Sequence, residues 1–165
     1  MKHLWAPWRM AYVSNTPAEE ADQGCFLCAA ASGTGDTSLV VDRGDLVFIL
    51  MNRYPYTSGH VMVAPIRHAA GVLALTPEEG GAMFGATQRA LRALTEVMHP
   101  DGFNSGINQG SAAGASAEHV HAHVVPRWAG DTNFMPVLGD VKVLPEALET
   151  TAAHLREAFA RLGPL

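Results

Sequence analysis

His119-Val120-His121-Ala122-His123-Val124-Val125 places an imidazole at every second position. A repeat of two is the side-chain period of a β-strand, so the three rings are expected on one face and Val120, Ala122 and Val124 on the other, in a core. Pro126 has no N–H to give a ladder and is expected to close the strand. Imidazole changes charge near neutral pH, ligates metals and is a competent nucleophile. Three of them on one face call for a ligand, a metal or a substrate between them; a surface strand that happens to carry His is the plain alternative.

Cys25-Phe26-Leu27-Cys28 is a second chemical landmark. A Cys-x-x-Cys knuckle lets two thiolates reach one ion at tetrahedral angles. Such a pair also serves redox chemistry in a thioredoxin-like βαβ setting, which this chain lacks, or stands as two buried thiols. As half of a metal site it needs two more ligands, which should be His: His68 lies 40 residues after Cys28, and His119 lies 51 after His68. Asn52 and His60 flank the turn-rich stretch Arg53 to Gly59. Asn52 either faces a vicinal diol with its amide or caps a turn. His60 either borders the site or is hydrogen-bonded in the core.

The elements that must position these residues follow from pattern. Ser38 to Val41 and Leu46 to Met51, around Asp42-Arg43-Gly44-Asp45, read as a hairpin, and Gly59 to Pro65 as a third strand. Ala29 to Thr37 is small and Gly-rich, a loop. Thr76-Pro77-Glu78-Glu79 has a cap, a first-turn Pro and a Glu at the third position, so a helix runs from about Pro77 to Met98. Met83, Phe84, Leu91, Leu94 and Met98 lie roughly on one of its faces, and Pro100-Asp101-Gly102 ends it. Phe103 to Gln109 is the fourth strand and Glu118 to Val125 the fifth. Gly110-Ser111-Ala112-Ala113-Gly114-Ala115-Ser116 between them offers N–H groups without bulky side chains, either a phosphate cradle or an ordinary loop. Pro145 to Leu162 is a second helix, and His154 on it is a surface or packed residue. Leu4 to Tyr12 carries three aromatics and reads as a cap on the core or on a dimer mate. Ser14 to Ala21 reads as an exposed linker.

Composition sets outer bounds. The 165 residues are most simply one domain, 1–165, with 48% hydrophobic and 16% charged residues, as in globular proteins. A net charge of −5 argues against a broad basic nucleic-acid face. No apolar run is long enough to span a bilayer, and Met1 to Pro7 has no signal-peptide core, which places the chain in the cytoplasm.

The triad stretch, the Gly-rich Asn108 to Ser116 before it and Pro126-Arg127-Trp128 after it together resemble the histidine triad family of nucleotide hydrolases and transferases. The likeness runs from about Leu4 to Asp131. It implies an α+β domain, a five-stranded antiparallel sheet with two main helices, paired into a homodimer whose sheets continue across the interface. It implies a small-molecule nucleotide substrate, with no nucleic-acid or membrane partner. His121 matches the nucleophile that takes the nucleotidyl group, His123 a phosphate-binding His, and Ser116 a hydroxyl at the scissile phosphate. Asn52 and His60 match positions at the nucleotide, Asn52 at the ribose; Asn108, Gly114 and Ala115 belong to the phosphate loop. Zinc-carrying members join two Cys, a His after the Val-x-Pro strand and the first triad His, which here are Cys25, Cys28, His68 and His119 around a structural zinc. Many of the hydrolases have Gln where this chain has Ala115, whereas the diadenosine-tetraphosphate phosphorylases have a small residue, Gly, leaving room for inorganic phosphate. The resemblance thus implies cleavage of dinucleoside polyphosphates with transfer to phosphate. Hydrolysis of such compounds or of nucleoside phosphoramidates, and non-catalytic nucleotide binding, are the other readings. Trp128 then borders a second nucleotide or packs.

Overall fold

The computed structural model describes residues 24–131 and 146–165. The aromatic stretch Leu4 to Tyr12 and the linker Ser14 to Ala21 lie outside them. Five strands, β1 (Val40–Arg43), β2 (Val47–Met51), β3 (Val61–Pro65), β4 (Gly102–Ile107) and β5 (Ala122–Arg127), form one sheet in the order β1-β2-β3-β5-β4. Every pairing is antiparallel. Among the described residues three α-helices accompany it: α1 (Phe26–Ser32), α2 (Pro77–Met98) and α3 (Leu148–Arg161). The fold is α+β as expected, with one helix more.

That extra helix corrects the expectation of a loop from Ala29. The run Phe26 to Ser32 is mostly Ala and Leu with no β-branched residue, and it helixes until Gly33, whose φ of 76° closes it. Leu27, Ala30 and Ala31 pack on Phe48, Leu50, Met62 and Ala64. The opposite face of the sheet, with Val47, Ile49, Met51, Val61, Val63, Ala122 and Val124, is covered by α2 and α3. Strands β2 and β3 are therefore buried on both sides along their whole length.

Helix α2 starts as its residues dictate. Thr76 Oγ1 accepts from Glu79 N at 3.2 Å, and Glu79 Oε2 accepts from Thr76 N at 2.9 Å. Its buried stripe is Met83, Ala86, Ala90, Ala93 and Leu94. Phe84, expected on that face, is 68% exposed. The small alanines set the stripe, and Phe84 stands about 100° round the helix from Met83. Helix α3 begins at Leu148, three residues after the expected Pro145. Arg89 of α2 fastens its far end, donating to the carbonyls of Phe159 at 2.8 Å and Leu162 at 3.2 Å while pairing with Asp42 at 2.6 Å.

The fifth strand begins and ends later than the apolar pattern suggests. It spans Ala122–Arg127, so His119 and His121 lie on the approach to it, and Pro126 sits within it opposite Phe103. Arg127's carbonyl accepts from Asp101 N at 2.8 Å, so it faces β4. Alternation turns Pro126 the other way, where pairing with β3 has ended at Val124 and its carbonyl takes the Thr57 hydroxyl at 2.8 Å. The missing N–H therefore costs no ladder bond.

Candidate functional site

Register decides which way the third histidine points. In β5, His123 lies opposite Met62 of β3 and Gly106 of β4, while Ala122 and Val124 share the α2/α3 core. Opposed residues in a sheet share a face, so His123 projects on the face away from those two helices. His121, nearly buried, joins it: the two rings meet edge to face with centroids 4.8 Å apart. His119 is fully buried and turned toward the cysteines. All three rings lie toward the sheet face that α1 covers: His121 and His123 meet each other, and His119 reaches the cysteines at the start of α1.

Each ring has its tautomer assigned by its partners. His121 Nδ1 lies 2.8 Å from the backbone carbonyl of His119. A carbonyl only accepts, so Nδ1 carries a proton, and in the neutral ring the lone pair is then on Nε2. Tyr56 N donates to His60 Nδ1 at 3.1 Å, which puts the proton of neutral His60 on Nε2. That N–H then donates to His123 Nδ1 at 2.9 Å. The rings of His60 and Tyr56 stack with centroids 4.7 Å apart. His60, expected either at the site or in the core, does both: it is fully buried and it orients His123. Tyr56 went unnoticed in the sequence, since its contribution is a backbone N–H that no pattern marks.

Asn52 directly follows β2, and its N–H donates to the His60 carbonyl at 2.9 Å. Its Oδ1 caps a turn by accepting from Tyr54 N at 2.9 Å. Asn108 opens the β4–β5 loop, and Ser116 lies exposed within it. Inside the loop, Ala113 N and Ala115 N donate to the Gly110 carbonyl and Gly114 N to that of Ser111. The N–H groups of Gly114 and Ala115 are therefore engaged, whereas Ser116 N has no partner among the described residues. Gly114 holds the turn with φ of 83°. Trp128 is half-buried and its Nε1–H points at the Met98 carbonyl, 3.4 Å away at the end of α2. His154 is a surface residue 3.6 Å from Glu146, on α3 and apart from this group.

Beside the histidine pair, Cys25, Cys28, His68 and His119 bring one ligand atom each within 4.8 Å of one another. Cys25 Sγ and Cys28 Sγ lie 3.3 and 3.5 Å from His119 Nδ1, and Cys28 Sγ lies 3.3 Å from His68 Nδ1. Sulfur and nitrogen on one tetrahedral zinc stand about 3.5 Å apart, from bond lengths near 2.3 and 2.0 Å. The donor set and its spacing therefore fit a metal ion. His119 Nε2–H donates to the Pro65 carbonyl at 2.9 Å, which leaves Nδ1 as the donor atom toward the cluster. Burial, and then the neighbouring His68 and His121, hold the His119 pKa below the usual histidine range, so the ring stays neutral. Burial likewise pushes the Cys28 thiol up, helped by its contact with Cys25. A cation at the centre would oppose that rise.

The chain matches the HIT domain over residues 34–130. It is 40% identical over 98% of its length, and 86% of the relative's, to a Mycobacterium tuberculosis protein named AP-4-A phosphorylase. A Dictyostelium discoideum bis(5'-adenosyl)-triphosphatase is 39% identical over 50% of this chain and 56% of that one. Among solved structures, a zinc-bound histidine triad protein from Mycobacterium smegmatis superposes with a TM-score of 0.72 at 33% identity, covering 85% of this chain and 96% of that one. With its alternating histidines, its five-stranded sheet and these matches in agreement, the chain belongs to the histidine triad family and is an enzyme of that family.

Proposed function

We propose that the protein cleaves dinucleoside polyphosphates such as diadenosine tetraphosphate at the α-phosphate, through a nucleotidyl group on His121, and passes that group to inorganic phosphate. The observation that carries this reading is the 2.8 Å bond from His121 Nδ1 to the His119 carbonyl. In the neutral ring it leaves the lone pair on Nε2, as a nucleophile needs. In the first step Nε2 attacks the α-phosphorus, a P–N bond forms, and the bridging P–O bond breaks to release a nucleoside triphosphate. In the second, a phosphate oxygen attacks the same phosphorus, the P–N bond breaks, and a nucleoside diphosphate leaves.

The remaining groups have supporting parts. His123, held by His60, turns its other ring nitrogen to the phosphate oxygens, and the Ser116 hydroxyl and N–H serve the scissile phosphate. Asn52 faces the ribose, and Asn108 and the Gly114–Ala115 turn shape the phosphate loop. Ala115 is small, which favours a second phosphate over a positioned water, and the mycobacterial relative's name supports the same choice. Cys25, Cys28, His68 and His119 would hold a structural zinc, which clamps chain segments together and takes no part in the displacement. Homodimerisation is read from β4, an outer strand of the sheet whose residues Asn104 to Ile107 are exposed.

Incubation with diadenosine tetraphosphate, with and without phosphate, tests the proposal. ADP and ATP formed only when phosphate is present are expected. AMP formed without phosphate would replace the phosphorylase by a hydrolase, and tight binding with no product would remove the enzymatic reaction.

A further inference from the structure

The segment after β3 touches the metal cluster, the approach to β5 and the start of the β4–β5 loop. Its Arg67 forks onto Glu79 at the start of α2, at 2.8 and 2.6 Å, and donates to the Ala74 carbonyl at 2.8 Å. His68 belongs to the metal cluster. The Ala69 carbonyl accepts from Val120 N at 2.7 Å, between His119 and His121. Val72 N, at the opening of a 3-10 turn over Val72–Ala74, donates to Gln109 Oε1 at 3.0 Å. Gln109 follows Asn108 and precedes the self-bonded loop that begins at Gly110. Among the described residues, its amide oxygen is the side-chain acceptor that ties this loop's leading end to the rest of the molecule. A Cβ on Gly71 would stand 3.1 Å from the Gln109 side chain, so the two stretches are in close contact.

We infer that Gln109 is a positioning residue: its bond to Val72 N fastens the β4–β5 loop to the Arg67–Ala74 strap and so keeps the loop in register with His121. The consequence for substrate rests on the reading above, that this loop receives the α-phosphate. A loop ordered before substrate arrives need not draw its ordering from binding. Released, it would populate the receptive arrangement only part of the time, and apparent affinity would fall by that fraction.

Two substitutions break the same bond from opposite ends. Gln109→Met keeps length and removes the acceptor. Val72→Pro removes the donor at the first position of a turn, after a Gly71 already extended at φ −171° and ψ 174°, a backbone that accepts a following proline. Hydrogen exchange at Ala113, Gly114 and Ala115 of the ligand-free protein, the loop amides that are hydrogen-bonded, should quicken in both, by about fivefold to tenfold for one bond of ordinary strength. The double variant should be no faster than either single, and Gln109→Glu, which retains an acceptor, should match the wild type. The KM for diadenosine tetraphosphate should rise by the same factor in Gln109→Met, with kcat held within about twofold. Unchanged exchange, additive effects in the double variant, or faster exchange with unaltered KM would each overturn the inference. A wild-type protein that turns over no dinucleotide would remove the proposed reaction but not the fastening, which exchange alone decides.

Discussion

In the proposed reaction His121 works through one nitrogen, left to it because the other is occupied. The carbonyl that occupies it belongs to His119. A glycine at position 121 removes the nucleophile and leaves a space at the site. His121→Gly should lower phosphorolysis of diadenosine tetraphosphate at least about a thousandfold, the scale of losing a covalent nucleophile. Mass spectrometry of wild-type protein quenched without phosphate should show one nucleotidyl adduct that the variant lacks. A variant with full turnover would exclude the covalent route. At this scale the sequence was legible in type but not in direction. Alternation picked out the histidines and spacing picked out the cysteines. The family resemblance already gave His119 to the metal cluster; what neither pattern could tell is that His121 and His123 meet edge to face. The tautomers rest on backbone groups of His119, Tyr56 and Pro65, which carry no signal in residue type.

Among the elements, α2 is the one whose ends were most plainly written, and its first turn also carries a pH-dependent contact. Hydrogen bonds from Arg67, and then from Thr76 N, hold the Glu79 carboxyl well below its ordinary value of 4.5, at about 2. A carboxylate whose folded pKa is depressed adds stability that is present above the unfolded pKa and is lost as pH falls through the folded one. Urea midpoints measured from pH 6 downward should therefore fall between about pH 4.5 and pH 2 through this group. Glu79→Gln should be less stable than wild type at pH 6 and converge with it near pH 2; parallel curves would refute the linkage. The turn before β3 makes a steric demand instead. Gly59 has φ of 77°, and a Cβ there would lie 2.3 Å from Met98 Sδ and 3.2 Å from Pro126. Gly59→Ala should cost about 2–4 kcal/mol, the left-handed backbone and the overpacking together, read as a lowered urea midpoint. The sequence marked Gly59 only as the end of a turn and the start of a strand. Its contact is with the far end of α2, and no local pattern records a neighbour so distant in the chain. Helix α1 was missed for a related reason: seven residues are too few to show a period, and it is stable only against the β2–β3 face.

At the scale of the whole molecule, the metal cluster joins stretches that nothing else among the described residues brings to one point. Cys25 and Cys28 lie at the start of α1, His68 just beyond β3, and His119 on the approach to β5. Helix α1 covers Phe48, Leu50, Met62 and Ala64, so an ion at the cluster would hold a lid over half of the sheet's core. Losing it should free α1, whose length cannot sustain a helix alone, and expose that apolar face. Purified protein should contain one zinc per chain by elemental analysis. Removing it with a strong chelator should lower Tm by roughly 5–15 °C, for a loss of a few kcal/mol in a chain of this size. Cys28→Ser should bind less zinc, show the lowered Tm without chelator, and gain nothing further from adding it. The same treatments should quicken hydrogen exchange across Leu27 to Ser32 before they affect α2, because α2 is anchored by Thr76, Arg67 and Arg89 independently of the cluster. Protein that carries no zinc and melts unchanged in chelator would show that thiols and imidazoles at these distances pack as neutral groups, and the lid would then be held by its apolar face alone.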